Sequence, residues 1–168
     1  RPFFWKNKKK IPIYGSKRTI KELKDKYTYC FSPRHGYQPI MKAYVVKKKI
    51  VLKKKKTKLL INLFDVKHGM INATGYLFNK VAYISDCNHI SNNSIQYLNN
   101  LNYLIIDCLR KKKHPSHLNF SQALKLIKKV KPKKAILTNL HVDLDYEILK
   151  KKLPSNIIPA YDGLSFSF

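Results

Sequence analysis

Apolar residues along this chain come in short runs broken by Lys, Asn, Gly and Pro, the punctuation of strands and short helices. "IPIY" predicts a strand, and Ser16 then caps a helix through "KRTIKELKDKY". Residues 28–42, containing "FSPRHGYQP", read as a loop with two prolines. "KAYVVKKKIVL" reads as a strand pair or one bent strand, and "KKKKTK" as a solvated turn into the strand 59–64. Strands at 74–78 and 81–85 follow, around the turn "NK". "NNSIQYLNNL" predicts a short helix and "NYLIID" a buried strand. Asn119 and Gln122 then open the helix "FSQALKLIKKV" in the manner of a capping box. "KAILTN" is a further strand, "LDYEILKKKL" a helix, and "IIPAYDGLSFSF" closes with strand character. A β-rich half followed by βαβα, with no internal repeat, predicts sheets with helices packed outside, an α/β sandwich.

At 168 residues the chain suits one domain with a substantial core, and an apolar share of 44% excludes a disordered polycation. No run approaches the roughly 20 apolar residues of a membrane span, and no signal peptide is visible. Cys30, Cys87 and Cys108 form no C-x-x-C and cannot all pair, so a reduced, cytoplasmic setting is expected. A start at Arg1 followed by "PFFW" is the pattern expected of a fragment or processed product.

The net charge of +26 suggests nucleic acid, but only four of the 35 basic residues are Arg, the better fork for phosphate and base edges. The lysines lie in simple runs beside abundant Asn and Ile, so drift in an A+T-rich gene explains them more simply than a dedicated face. Nonspecific affinity for polyanions through lysines follows either way.

The chemistry-bearing residues fall after strands. His68 follows 59–64, Asp86 follows 81–85, His114 and His117 follow 102–107, and His141 follows 135–139. A hairpin between "KLLINLF" and "TGYLF" needs Gly69 or Asn72 for its turn, but it has no use for His68. Loops at one sheet edge are where rigid scaffolds build sites, and His with Asp suits zinc or another borderline divalent ion. Individually, His35 and His89 read as surface residues, Asp86 as a strand terminator or a ligand, and His114 as a loop residue before Pro115. Cys87 reads as a small buried hydrophobe before it reads as a soft ligand, and Asp107 as a group orienting a neighbour.

"HG…TGYLF…VAYISD", "LIIDCLRKKKHPSHLNFSQAL", "AILTNLHVDLDYEIL" and "PAYDGL" together resemble the metallo-β-lactamase-fold hydrolases, in the branch of the phosphoribosyl cyclic phosphodiesterases. The resemblance runs in order along essentially the whole chain, and "RPFFW" is similar to the segment just after that family's H-x-H-x-D-H loop. It implies a four-layer αβ/βα sandwich, N-terminally truncated, with residues 1–168 as the C-terminal part of a single domain.

The resemblance also implies roles. His68 and His141 would be metal ligands, with Asp86 bridging two ions; "TNLHVD" displaces His141 from the family's T-H-x-x-H arrangement. His117, in "HPSHLNF", would be the catalytic acid, and His114 a substrate contact. The implied cofactors are two divalent ions, zinc or manganese, ~3.5–4 Å apart, which hold the hydroxide that attacks a small phosphodiester. The 168 residues contain no H-x-H-x-D-H, so this chain is expected to hold at best one ion weakly and to have impaired activity. A metal-free basic remnant that binds nucleic acid and a tRNA-processing nuclease of the same fold are the alternatives. A homodimer is an assembly left open, and no membrane partner is expected.

Overall fold

A computed structural model of the chain describes residues 1–33, 36–54 and 56–167. His35, read above as a surface residue, lies outside the described residues. The described chain forms two compact units, residues 1–50 and 51–168.

In the first unit, α1 (Pro2–Asn7) has Pro in its first turn, where its missing N–H costs nothing. Strand β1 (Ile11–Gly15) pairs in parallel with β2 (Met41–Val45), Ile11 opposite Met41 and Gly15 opposite Val45. Between them, Ser16 Oγ accepts the Thr19 backbone N–H at 3.1 Å and starts α2 (Lys17–Lys26). The expected loop over 28–42 begins instead with one helical turn, α3 (Thr28–Phe31), because Cys30 packs with Phe4 and Ile40 in a small core. The run "KAYVVKKKIVL" forms two strands in two different sheets: β2 joins β1, whereas β3 (Lys49–Lys54) edges the sheet of the second unit.

That sheet has seven strands in the order β3, β4 (Thr57–His68), β5 (Ile71–Phe78), β6 (Val81–Ile84), β7 (Tyr103–Asp107), β8 (Lys134–Thr138) and β9 (Ile157–Pro159). Neighbours β4, β5 and β6 are antiparallel, while β6 through β9 are parallel. Strands β4, β6, β7 and β8 therefore run the same way and bring their C-terminal ends to one edge. Two tight turns set the antiparallel part. Gly69, at φ 62, is the first of two central residues between His68 and Ile71, the pattern of a II′ turn. Asn79 and Lys80, at φ 45 and 63, make the I′ pattern between Phe78 and Val81. The strand expected at 59–64 is thus longer at both ends, and the one expected at 74–78 begins at Ile71.

The parallel half is connected by α4 (Asn92–Ile95) with a 3₁₀ turn at Gln96–Leu98, by α5 (Phe120–Val130) and by α6 (Tyr146–Lys152). Alternate residues of the central strands, Ala82 and Ile84, Leu104 and Ile106, Ala135 and Leu137, bury one sheet face against Leu98, Ala123, Ile127 and Leu149 from those connections. Each large side chain so buried contributes about 1.5–3 kcal/mol, and this shared face holds the unit together. The Asn119–Gln122 capping box is complete, with both bonds at 2.9 Å, and fixes where α5 starts. The final segment, expected to have strand character, is strand only over Ile157–Pro159. No helix among the described residues is long and apolar enough to cross a membrane.

Gly75 shows how tightly the sheet is covered. Phe64 is buried and stacks on Tyr97 at 5.0 Å, and a Cβ on Gly75 would fall 2.4 Å from the Phe64 ring. Gly75→Ala is expected to destabilise the chain by about 1–3 kcal/mol through overpacking, read as a lowered urea midpoint at unchanged slope.

Candidate metal centre

The strand-end edge gathers the polar residues. His68 is the last residue of β4 and pairs with Ile71, so the expectation that it follows the strand is corrected: the strand itself carries it to the edge. Its Nδ1 lies 2.8 Å from the carbonyl oxygen of Ser116, which places the ring proton on Nδ1 and leaves Nε2 as the free donor. Gly69 permits this approach. A Cβ there would lie 3.2 Å from Ser116 Cβ, and its φ of +62° suits glycine. Asn88 ties the same two loops together: its Oδ1 accepts the Gly69 N–H at 3.1 Å, and its Nδ2 donates to Pro115 O at 2.9 Å.

His117 is held from the other side. Its Nδ1 donates to Oδ2 of Asp107 at 2.8 Å; Asp107, the last residue of β7, is fully buried, and the His117 side chain is 14% exposed. The same Oδ2 accepts the backbone N–H of Cys87 at 3.1 Å and of Leu118 at 3.3 Å. Asn139, left-handed at φ 64 just beyond β8, donates from Nδ2 to Asp107 Oδ1 at 3.2 Å. Its 3.4 Å approach to His117 Nδ1 is two donors converging on one carboxylate, because the shorter carboxylate contact claims the imidazole proton. A buried carboxylate satisfied in this way fixes the His117 tautomer and frees Nε2, as carboxylates behind metal-bound histidines do.

Donor atoms of His68, Asp86 and His117 all lie within 4.8 Å of one another, and the His68 and His117 rings stand edge to face at 4.6 Å. Asp86 accepts from Ser85 Oγ on Oδ2 at 2.6 Å and retains Oδ1. Two oriented imidazoles and a carboxylate are a donor set that suits one divalent ion of the zinc type. His141 is not brought into this group: its Nδ1 lies 3.1 Å from Asp143 Oδ1, and its side chain is half exposed. His114 stands one ring further out, 5.0 Å from the His117 ring. Its Nδ1 accepts the Ser116 N–H at 3.3 Å, and its pKa is lowered by desolvation first, then by the charge of Arg110 and the neighbouring imidazoles. Cys87 and Cys108 are fully buried in the apolar core. Burial, then Asp107, raises both thiols, Cys108 up to about 12, so they pack as neutral groups. His89 is exposed and its backbone bridges to Lys67.

Residues 1–139 match the family described as the beta-lactamase superfamily domain. The chain belongs to that family. Its mixed α/β make-up, with one large sheet, matches the metallo-β-lactamase fold. A crystal structure of a diphosphatase from the PhnP family superposes with a TM-score of 0.82 at 27% identity, over 95% of this chain and 59% of that one. Zn(2+)-bound PqqB from Methylobacterium extorquens shares the fold, with a TM-score of 0.73 at 11% identity over 95% of this chain and 65% of that one. A protein of Porphyromonas gingivalis named octanoyltransferase is 28% identical over 93% of this chain but only 32% of its own length. The chain thus spans about a third of that relative and three-fifths of the diphosphatase.

Within this superfamily domain, Asn88, Asn139 and Arg110 are the contributors that sequence reading passed over. Their only signal is an amide or guanidinium next to a strand end, which is common without function. Asp107→Asn replaces one acceptor oxygen with an NH2 group that faces donors. It is expected to cost roughly 2–4 kcal/mol in urea unfolding and to release the His117 Nδ1 tautomer in ¹⁵N NMR. His114 is expected to titrate below 6.5 by NMR. A lowered folded pKa means that the stability of the neutral ring is complete above the unfolded value and is lost as pH falls through that range toward the folded one.

Proposed function

We propose that this domain contributes the phosphodiester-hydrolysing half-site of a metallo-hydrolase, with His68 and Asp86 holding a divalent ion and His117 serving as proton donor. The observation that carries this reading is the convergence of His68, Asp86 and His117 within 4.8 Å at the edge shared by β4, β6 and β7. The likeness to a PhnP-family diphosphatase at 27% identity supports a phosphate ester as substrate, and zinc in the PqqB relative supports a divalent ion. A bound ion of this kind supplies Lewis acidity, lowering the pKa of water and polarising a phosphoryl oxygen.

The protein residues do the rest. The Ser116 carbonyl and the Asp107 carboxylate aim the two imidazoles, so no reorientation is needed when a ligand arrives. Asp107 holds the His117 Nδ1–H, so that Nε2 faces the site, where a proton carried on it can pass to the leaving alkoxide. His141, a ligand by resemblance, would have to leave Asp143 to join the ion; zinc and manganese both suit a His/Asp set of this kind.

The 4.8 Å grouping favours a second role for His117, as third ligand. His117→Ala separates the two roles. A lost proton donor leaves ion affinity unchanged and slows poor leaving groups most, whereas a lost ligand weakens the ion for every substrate.

In calorimetry with Zn²⁺ or Mn²⁺, the chain is expected to bind about one ion saturably. Binding should be lost in His68→Ala and Asp86→Ala and reduced less in His141→Ala. Slow, metal-dependent cleavage of bis(p-nitrophenyl) phosphate should disappear with His68→Ala. Absence of saturable ion binding would overturn the reading. Oligonucleotide binding through the lysines should weaken steeply with salt and be indifferent to His68→Ala.

A further inference from the structure

We propose that the open face of the β1–β2 sheet is a stacking platform for single-stranded nucleic acid, where Tyr14 and Tyr44 receive unpaired bases and flanking lysines receive phosphates. None of these residues belongs to the candidate metal centre, and the platform does not depend on hydrolysis.

Strand register decides which side chains share this face. Side chains alternate across a strand, and β1 pairs with β2 so that Pro12 stands beside Lys42 and Tyr14 beside Tyr44. All four are exposed, whereas Ile11, Ile13, Met41 and Ala43, on the opposite face, are half-buried. Tyr14 and Tyr44 are each 38% exposed, and their rings stack with centroids 5.2 Å apart and planes inclined by 19°. Lys42 Nζ stands over the Tyr44 ring, 5.4 Å from its centroid. Parallel rings on an open sheet face match the aromatic surfaces on which single-strand binders seat successive bases. The two phenols already hold one another, so little side-chain freedom is left to lose when a base joins the stack. Bases in a duplex have both faces covered by their neighbours, so the platform selects unpaired ones.

The charge around the pair has the matching sign. Lys8, Lys9 and Lys10 run into the start of β1, and Lys47, Lys48 and Lys49 follow the end of β2; all six are exposed. Because the strands are parallel, the two runs lie at opposite ends of the same five-residue sheet, which is ~16 Å long. Glu22 and Asp25, both on α2, are the only acidic residues among residues 1–50, and Glu22 is paired with Arg18 at 2.9 Å. Lysines alone attract any polyanion through its phosphates. The tyrosines add what lysine content does not supply, a preference for bases over bare backbone.

The test measures fluorescence anisotropy of labelled oligothymidylate, of an abasic strand with the same number of phosphates, and of a duplex of equal length, at near-physiological salt. Oligothymidylate is expected to bind at least about 5-fold more tightly than the abasic strand. Replacing both rings, Tyr14→Leu with Tyr44→Leu, should erase that preference and leave the abasic affinity and its salt dependence unchanged. Leucine keeps apolar bulk on the sheet, so a purely structural role for the pair would not move the base-against-abasic difference. If the double variant fails to fold, the Tyr14 and Tyr44 ring resonances of the unsubstituted chain decide: oligothymidylate should shift them saturably and the abasic strand should not. Three results overturn the proposal: equal affinity for the two single strands, which marks diffuse charge; a preference that survives loss of both rings; or tighter binding to the duplex. Neither metal nor turnover enters the measurement, so its failure and that of the hydrolase reading are distinguishable.

Discussion

The carboxylate of Asp107 is the contact on which the strand-end edge depends. It terminates β7 in the core of the sheet, with no access to water, and accepts from Cys87 N–H, Leu118 N–H, His117 Nδ1 and Asn139 Nδ2. Those donors come from the segments after β6, β7 and β8, so one side chain registers three strand ends against one another. A buried carboxylate without such partners would be strongly unfavourable; with all of them in place it becomes a rigid hub. The hub lies beneath the candidate ion site, and it is His117 that connects them.

Around that hub the chain spends its few polar side chains carefully. Asn88 joins the β4–β5 turn to the loop at Pro115, and Ser116 O turns the His68 ring. The neighbouring thiols of Cys87 and Cys108 are kept neutral by burial and by the same carboxylate, so they fill volume without competing for a cation. With only nine acidic residues against 35 basic ones, carboxylates are scarce. Asp86 and Asp107 sit together at this edge, one facing the histidines and one beneath them. Arg110 has no carboxylate of its own among the described residues.

Much of this was legible in the residues. The strand runs, the Ser16 cap, the Asn119–Gln122 capping box and the "NK" turn are local signals, because a turn or a cap is decided by a few adjacent residues. The placement of Asp86, His114 and His117 after strands was visible for the same reason. What the residues alone did not disclose was the length of β4, which carries His68 to the edge within the strand. Nor did they disclose the division of "KAYVVKKKIVL" between two sheets, since apolar spacing specifies a strand and not its partner.

The sequence by itself therefore determined the elements and the stock of donors. Those are set by side-chain volume, backbone propensity and hydrogen-bonding groups, all properties of neighbours along the chain. Only the tertiary structure decided which donors meet. It set His68 beside Asp86 and His117, left His141 on Asp143, and tied Arg110 to the Lys113 carbonyl. Side-chain convergence depends on strand order and direction, and these follow from burying a shared sheet face across residues far apart in the chain.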